Sequence, residues 1–282
     1  MIQLLNGSKR RFFPYIVQIG AGANGGYILQ QTAQMMNIFG IKGFYLIADP
    51  DRVEQKNLRN QLFIAKDVGQ TKASVLARRY RTHYQVEIAS FDERYIETVD
   101  DVARLFRYTD YQDCFYYDTL FLPILLSCVD NNFTRKIMHD YFMQQDRLLY
   151  IDVGVESAWV PSHGHPKEQW RKEEVERHEK TGYTGQVVTG LRINHVTLLP
   201  PIAECFPDIL TDEDQIAPSE MSCSNIILNE PQRLITNRFA ATVVAGYLNE
   251  LFDTATITNH KTYFHAKKQY MRAEVIPKEN SE

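Results

Sequence analysis

The chain has no run of about eighteen consecutive apolar residues, and its first twenty positions contain no unbroken apolar core of signal-peptide length. The expectation is a protein that neither spans a membrane nor carries a leader, and that works in the cytoplasm. Cysteine is sparse. Cys114, Cys128, Cys205 and Cys223 are widely spaced and form no Cys-x-x-Cys pair, so sequence neighbours supply neither a disulfide framework nor a thiolate zinc site. A reactive thiol stays open. One-sided charge is missing as well: the net charge is −4, and the longest basic block is Lys9-Arg10-Arg11, which is no footprint for nucleic acid. There is no internal repeat and no low-complexity tract. The partner classes left are a protein and a small molecule.

What the chain does have is 282 residues, 44% of them hydrophobic, enough for one large α/β domain or for a domain with an appendage. Residues 14–20, PYIVQIG, read as a buried strand that ends in glycines, and 24–39 as a helix whose apolar face is Ile28, Leu29, Ala33, Met36 and Ile38. Strand and helix then alternate. Strands are expected at 43–51, 85–90 and 148–155, and within 120–130 after Pro123, since proline removes a ladder donor. Helices are expected at 70–83, 95–106 and 133–145. The alternation predicts an α/β fold, a Rossmann-like doubly wound and mostly parallel sheet.

The second half is less regular. Residues 166–182 are charged throughout and read as a solvated helix or loop, 185–201 as one or two strands, and 201–225 as a long acidic connection. A long helix over 231–252 and a terminal β-hairpin complete a C-terminal extension. The division expected is a nucleotide-binding half, 1–160, and a C-terminal half, 161–282, within one continuous domain.

Gly20-Ala21-Gly22-Ala23-Asn24-Gly25 fits G-x-G-x-x-G between a strand and a helix, where backbone N–H groups and the helix N-terminus receive phosphate. The loop suits a dinucleotide as well as ATP. Asp49, at the end of the second strand, stands where such folds hold a ribose hydroxyl. The next segment separates the two ligands. Asp51, Asn57, Arg59, Gln61 and Lys72 form a polar array that a dehydrogenase has no use for, whereas a triphosphate needs several donors and a carboxylate for its metal.

The order G-x-G-x-x-G, D-x-D-x-V, N-L-x-x-Q and D-x-G-x-x-K resembles the adenylation domain of the ThiF, MoeB and ubiquitin-activating enzymes over residues 14–155. The resemblance implies ATP and Mg²⁺ as cofactors. It places Asp49 on the ribose, Asn57, Gln61 and Lys72 around the phosphates, and Asp51 in support. The family's D-N-x-x-x-R pattern falls on Asp130-Asn131 and Arg135 at a strand C-terminus, which makes Asp130 the expected Mg²⁺ ligand; the bland role for Asp130 is an N-cap. Two departures stand out. Arginine usually adjoins the glutamine in this family, but here Arg59-Asn60-Gln61 moves it one position, and the N-terminal arginine-bearing helix is missing, with Arg10 or Arg11 as substitutes.

The second half resembles the ThiF-family protein of the PRTRC cassette in YIDVGVES, GQVVTG, LPPIAECFPDI and a Ser-Cys-Ser before a helix with Gln232, Asn237 and Ala240; here residues are inserted between Pro218 and Cys223. That likeness implies Cys223 as a thioester acceptor, with Cys205 as runner-up and Cys114 and Cys128 structural. It implies a small ubiquitin-like protein as substrate, a conjugating-enzyme-like protein nearby and a homodimer. Two rivals stay open: an NAD-dependent oxidoreductase, and a scaffold that keeps the fold without catalysis.

Overall fold

The structure is a computed structural model that describes residues 1–5, 11–107, 118–211, 217–223 and 232–277, with the backbone alone at 221–223. A short strand β1 (Ile2–Gln3) pairs with β9 (Thr256–Ile257) and ties the N-terminus to the far end of the chain. The main body is one nine-stranded sheet. Its parallel part comprises β2 (Arg11–Ile19), β3 (Phe44–Ala48), β4 (Ile88–Phe91), β5 (Thr119–Ser127) and β6 (Leu148–Val155), in the spatial order β6-β5-β2-β3-β4. The crossovers are α1 (Ala23–Ile38), α2 (Lys72–Tyr84), α3 (Val99–Leu105) and α4 (Asn132–Gln144). This is the expected doubly wound topology. Order reverses between β2 and β5, the switch point outside which such sheets bind ligands.

Beyond β6 the sheet turns antiparallel. Strand β7 (Thr184–Ile193) pairs with β6 along its length and on its other side with β10 (Asn259–His265) and the short β8 (Val196–Leu199), while β11 (Tyr270–Val275) closes that edge. The charged stretch forms an exposed helix α5 (Lys172–Lys180). Among its described residues the acidic connection carries three short helices, α6 (Ile202–Cys205), α7 (Asp208–Thr211) and α8 (Pro218–Cys223), before the long α9 (Leu234–Thr254). The periodicity of that connection is too broken to reveal helices of one turn.

The central strands are apolar at successive positions because both of their faces are covered. Ile16, Ile47, Ile124, Leu126 and Ile151 meet α1, α2 and α9 on one face. Tyr15, Val17, Leu125 and Tyr150 join Met138 and Phe142 of α4 on the other. Two expectations shift. Strand β5 does not begin after Pro123 but runs through it: β6 joins only from Ile124, so at Pro123 the strand has a neighbour on one side, and a side without a ladder needs no donor. Helix α3 starts at Val99 rather than at Tyr95, because Thr98 caps it by accepting from the Asp101 N–H at 3.1 Å.

Helices α1 and α9 lie close together through small residues, with Ala33, Ala240 and Ala241 all fully buried. Ala240→Leu has no space to fill and should destabilise the protein by about 1–3 kcal/mol. Urea unfolding checks this, as a lower midpoint at unchanged slope.

Candidate active site

Strands β2, β3 and β5 run parallel, so the segments that follow them emerge along one edge of the sheet. The glycine loop follows β2. Gly20 has φ +102°, a conformation that disfavours side chains, and a Cβ there would lie 2.6 Å from the Cys128 carbonyl oxygen just beyond β5. A Cβ on Gly25 would lie 2.3 Å from the Gly20 carbonyl oxygen, so the loop closes tightly onto the start of α1. Gly22, the N-cap of α1, faces open space instead. Room is left where a helix N-terminus offers its N–H groups to an anion.

Gln18, fully buried in β2, holds this loop from below. Its amide donates to the Gly20 carbonyl at 2.7 Å and to the Gly25 carbonyl at 3.0 Å, and its oxygen accepts from the Tyr45 hydroxyl. No motif in the sequence marks Gln18. Its signal was a lone polar residue inside PYIVQIG.

Asp49 follows β3 and is bound to the loop directly: Oδ2 accepts from the Ala21 N–H at 2.7 Å and Oδ1 from the Asp51 N–H at 2.9 Å. The next segment is laced to the one that delivers Lys72. Val53 N–H donates to Gln70 O, Gly69 N–H to Val53 O, and Lys72 N–H to Asp51 O at 2.8 Å. This explains why D-x-D-x-V and D-x-G-x-x-K occur together: each supplies backbone partners for the other. Asp67 adds to the frame by accepting from the Ile64 N–H and pairing with Arg79.

Lys72 opens α2 with only 8% of its surface exposed, which removes the reading of a surface lysine. Its Nζ meets Asp51 Oδ2 at 2.8 Å, and the other Asp51 oxygen accepts from the Tyr95 hydroxyl. Tyr95 is a further residue the sequence did not single out; it precedes α3 and so reaches back to the site. Desolvation raises the Asp49 carboxyl to about 6, against the pull of the Lys72 charge. For Asp51, burial is outweighed by Lys72 and Tyr95, and its carboxyl lies below the usual range. Lys72 is pulled down by desolvation and pushed up further by the two aspartates, so it stays an ammonium. A group of net negative charge is thus held around one buried cation.

The remaining expected residues divide. Asn57 is buried and its Oδ1 accepts from the Glu54 N–H at 2.8 Å, so its amide oxygen shapes the turn that precedes it. Gln61 keeps a buried side-chain amide oxygen without a partner among the described residues. Arg59 ends a 3₁₀ helix, Gln55–Arg59, and is exposed, with no hydrogen bond or ion pair among the described residues. Asn24 and Ala23 are buried in the first turn of α1. Arg11 opens β2, a strand-length away from the glycine loop, and pairs at 3.7 Å with Asp118. It cannot reach the glycine loop of its own chain. Arg10 lies outside the described residues.

At the end of β5 the cap is Asn131 rather than Asp130: its Oδ1 accepts from the Thr134 N–H at 2.8 Å. Asp130 is exposed and has no hydrogen bond or ion pair among the described residues. The turn is fixed from behind by Arg135, which donates to the Val129 carbonyl at 2.9 Å and meets Asp152 Oδ2 at 3.2 Å. Asp152, 1% exposed in β6, is a third residue that no motif marks, a charge inside the otherwise apolar YIDVGV. Cys128 is buried, and burial with Asp152 raises its thiol far above the ordinary value, as suits a structural cysteine. Cys205 is half-buried with its thiol raised by burial. Cys114 lies outside the described residues, as does the side chain of Cys223, the last residue of α8.

Comparison with known proteins bears on this geometry. The model of the ThiF family matches residues 7–281. The chain belongs to the ThiF family. No curated protein sequence matches it. Among solved structures it is similar to E. coli MccB bound to ATP, with a TM-score of 0.53, 12% identity, and 95% of this chain and 64% of that one covered. E. coli MccB with succinimide gives 0.54 and 14%, covering 93% and 63%. PaaA gives 0.54 and 16%, covering 93% and 64%. These likenesses show a shared fold. The chain spans just under two thirds of the length of those proteins.

Three outcomes follow from the charges. Arg135→Met leaves the Asp152 carboxylate buried without its partner and should cost about 3–5 kcal/mol in urea unfolding; Arg135→Met with Asp152→Leu should recover most of it. The folded-state value of Asp49 is raised above its ordinary value of 3.8, so its contribution to stability is full below that value and is lost as pH rises through about 6. Lys72→Met removes the charge that holds Asp49 down, so carboxyl NMR should find Asp49 titrating higher in that variant.

Proposed function

We propose that this chain uses Mg·ATP to adenylate the C-terminal carboxylate of a small ubiquitin-like protein, and that it does so as a cytoplasmic homodimer. The observation that carries the reading is convergence on one sheet edge. The open N-terminus of α1 at Gly22, the Asp49 carboxylate bonded to that loop, the buried Lys72 ammonium and the turn bearing Asp130 all follow the ends of adjacent parallel strands. MccB, a structural neighbour, has been solved with ATP, and with AMPCPP together with MccA.

The residues present fit the ligand. The loop amides and Asn24 receive phosphate, Asp49 accepts from the ribose, and the unpartnered amide oxygen of Gln61 is a buried acceptor that a hydroxyl or amino donor of the ligand would satisfy. A magnesium ion on phosphate oxygens needs only one or two protein carboxylates, and Asp130, exposed and unpaired, supplies one with Asn131 beside it. Among the described residues no cluster of three His, Cys, Asp or Glu side chains is arranged to hold a metal alone. Bound magnesium would supply charge neutralisation at the phosphates.

In the proposed reaction a carboxylate oxygen attacks the α-phosphorus of ATP. An acyl–phosphate bond forms, the bond to the bridging oxygen breaks, and pyrophosphate leaves. Lys72 offsets the growing charge and passes from Asp51 to the phosphates without changing protonation; the glycine loop fixes the line of attack. Cys223 then accepts the acyl group as a thioester and AMP leaves, the thiol proton passing to solvent. A conjugating-enzyme-like protein is the next acceptor. Arg59, solvated and unpaired, is available to close over the phosphates once they are bound.

The test is ATP–pyrophosphate exchange with a ubiquitin-like partner. Lys72→Met and Asp130→Ala should each reduce exchange by about 100-fold or more, while Cys223→Ala should keep exchange and lose a thiol-sensitive adduct in intact-mass spectra. ATP binding without exchange would make the chain a scaffold. Tight NADH binding without it would make the chain an oxidoreductase.

A further inference from the structure

Strand β11 ends the sheet, and all six of its residues are exposed. Among the described residues it pairs only with β10, so its outer edge offers unpaired N–H and C=O groups to another strand. Proteins usually protect such an edge with proline, a bulge or a cover. Strand β11 has no proline, the one irregularity of its ladder lies at Asn259/Lys261, and Tyr270, Met271 and Val275 are 51%, 45% and 68% exposed. Its charges do not deter pairing either. Met271-Arg272-Ala273-Glu274-Val275 has the same pattern from either end, with the two charges of opposite sign.

That symmetry fixes an occupant. If a second copy of β11 lies antiparallel with Ala273 opposite Ala273, Arg272 faces Glu274 twice on one face of the sheet. Met271 faces Val275 twice on the other face. Both kinds of cross-strand pair are favourable. Centring the pair on Arg272 or on Glu274 sets like charges opposite each other, and centring it between residues sets charges against apolar side chains. Of the registers centred within Arg272–Glu274, the Ala273 register is the one that sets opposite charges against each other. Glu274 already meets Lys261 of β10 at 3.0 Å, so Arg272 of the second copy would complete a row of alternating charge.

We infer that two copies of this chain join through β11, with Ala273 on the two-fold axis, and continue one sheet across both. This names the face of the homodimer in the functional reading and rests on that self-association, not on adenylation. Six residues of strand pairing bury less than the roughly 1,600 Å² of a standard interface, so association should be weak.

The test combines ultracentrifugation of the full chain at up to roughly 100 µM with cysteine cross-linking. Opposed Cα atoms in an antiparallel pair lie about 4.5–5.5 Å apart, within disulfide reach. Ala273→Cys should therefore yield a reducible dimer under mild oxidation that the parent chain does not form. Met271→Cys should not, since that residue would lie about 14 Å from its copy. Arg272→Glu should weaken association at least tenfold, and mixing it with Glu274→Arg should restore a mixed dimer; thermal melting shows that the variants are folded. A monomer at the highest concentration overturns the proposal. A dimer unmoved by Arg272→Glu leaves the homodimer standing and overturns this face.

Discussion

A single ammonium holds the site's loops together. Lys72 Nζ bonds Asp51, its backbone N–H bonds the Asp51 carbonyl, and its charge acts on Asp49, which in turn accepts from the glycine loop. Three segments separated in sequence thus share one electrostatic centre. Remove the cation and two carboxylates are left facing each other in a desolvated place, while the backbone bonds between the two segments remain. Burial raises the Asp49 carboxyl even against the pull of the Lys72 charge. Sites built for a charged ligand commonly keep such imbalance.

The second constraint is backbone against backbone. Gly20 passes so close to the Cys128 carbonyl that no side chain fits between them, and Gln18 fastens both ends of the same loop from inside the sheet. Arg135 and Asp152 do the equivalent work behind the turn after β5. Each loop at this edge is therefore backed by a buried polar group in the strand or helix beneath it. Such groups are costly to bury alone and are tolerated here because each is bonded.

Most of the fold was legible in sequence because its signals are local. Short apolar runs ending in glycine or aspartate marked β2, β3 and β6, and amphipathic spacing marked α1, α2, α4 and α9. The errors came where tertiary context decides: Pro123 is acceptable within β5 only because β6 starts one residue later, and α3 begins where Thr98 can cap it. The site divides in the same way. Gly20, Asp49, Asp51, Lys72 and Asp130 stood in a recognisable order. Gln18, Tyr95 and Asp152 did not, since each acts on another residue that is far away in the chain, and a polar letter in an apolar strand says only that some partner exists.

The division of labour between Asp130 and Asn131 matters for how this corner can vary. Because the amide of Asn131, and not the neighbouring carboxylate, secures the first turn of α4, the acidic position makes no hydrogen bond or ion pair of its own among the described residues. On the proposed function, chemistry and architecture thereby fall to separate adjacent letters. A lineage could lose the acid, and with it any metal-dependent role, while inheriting an intact fold.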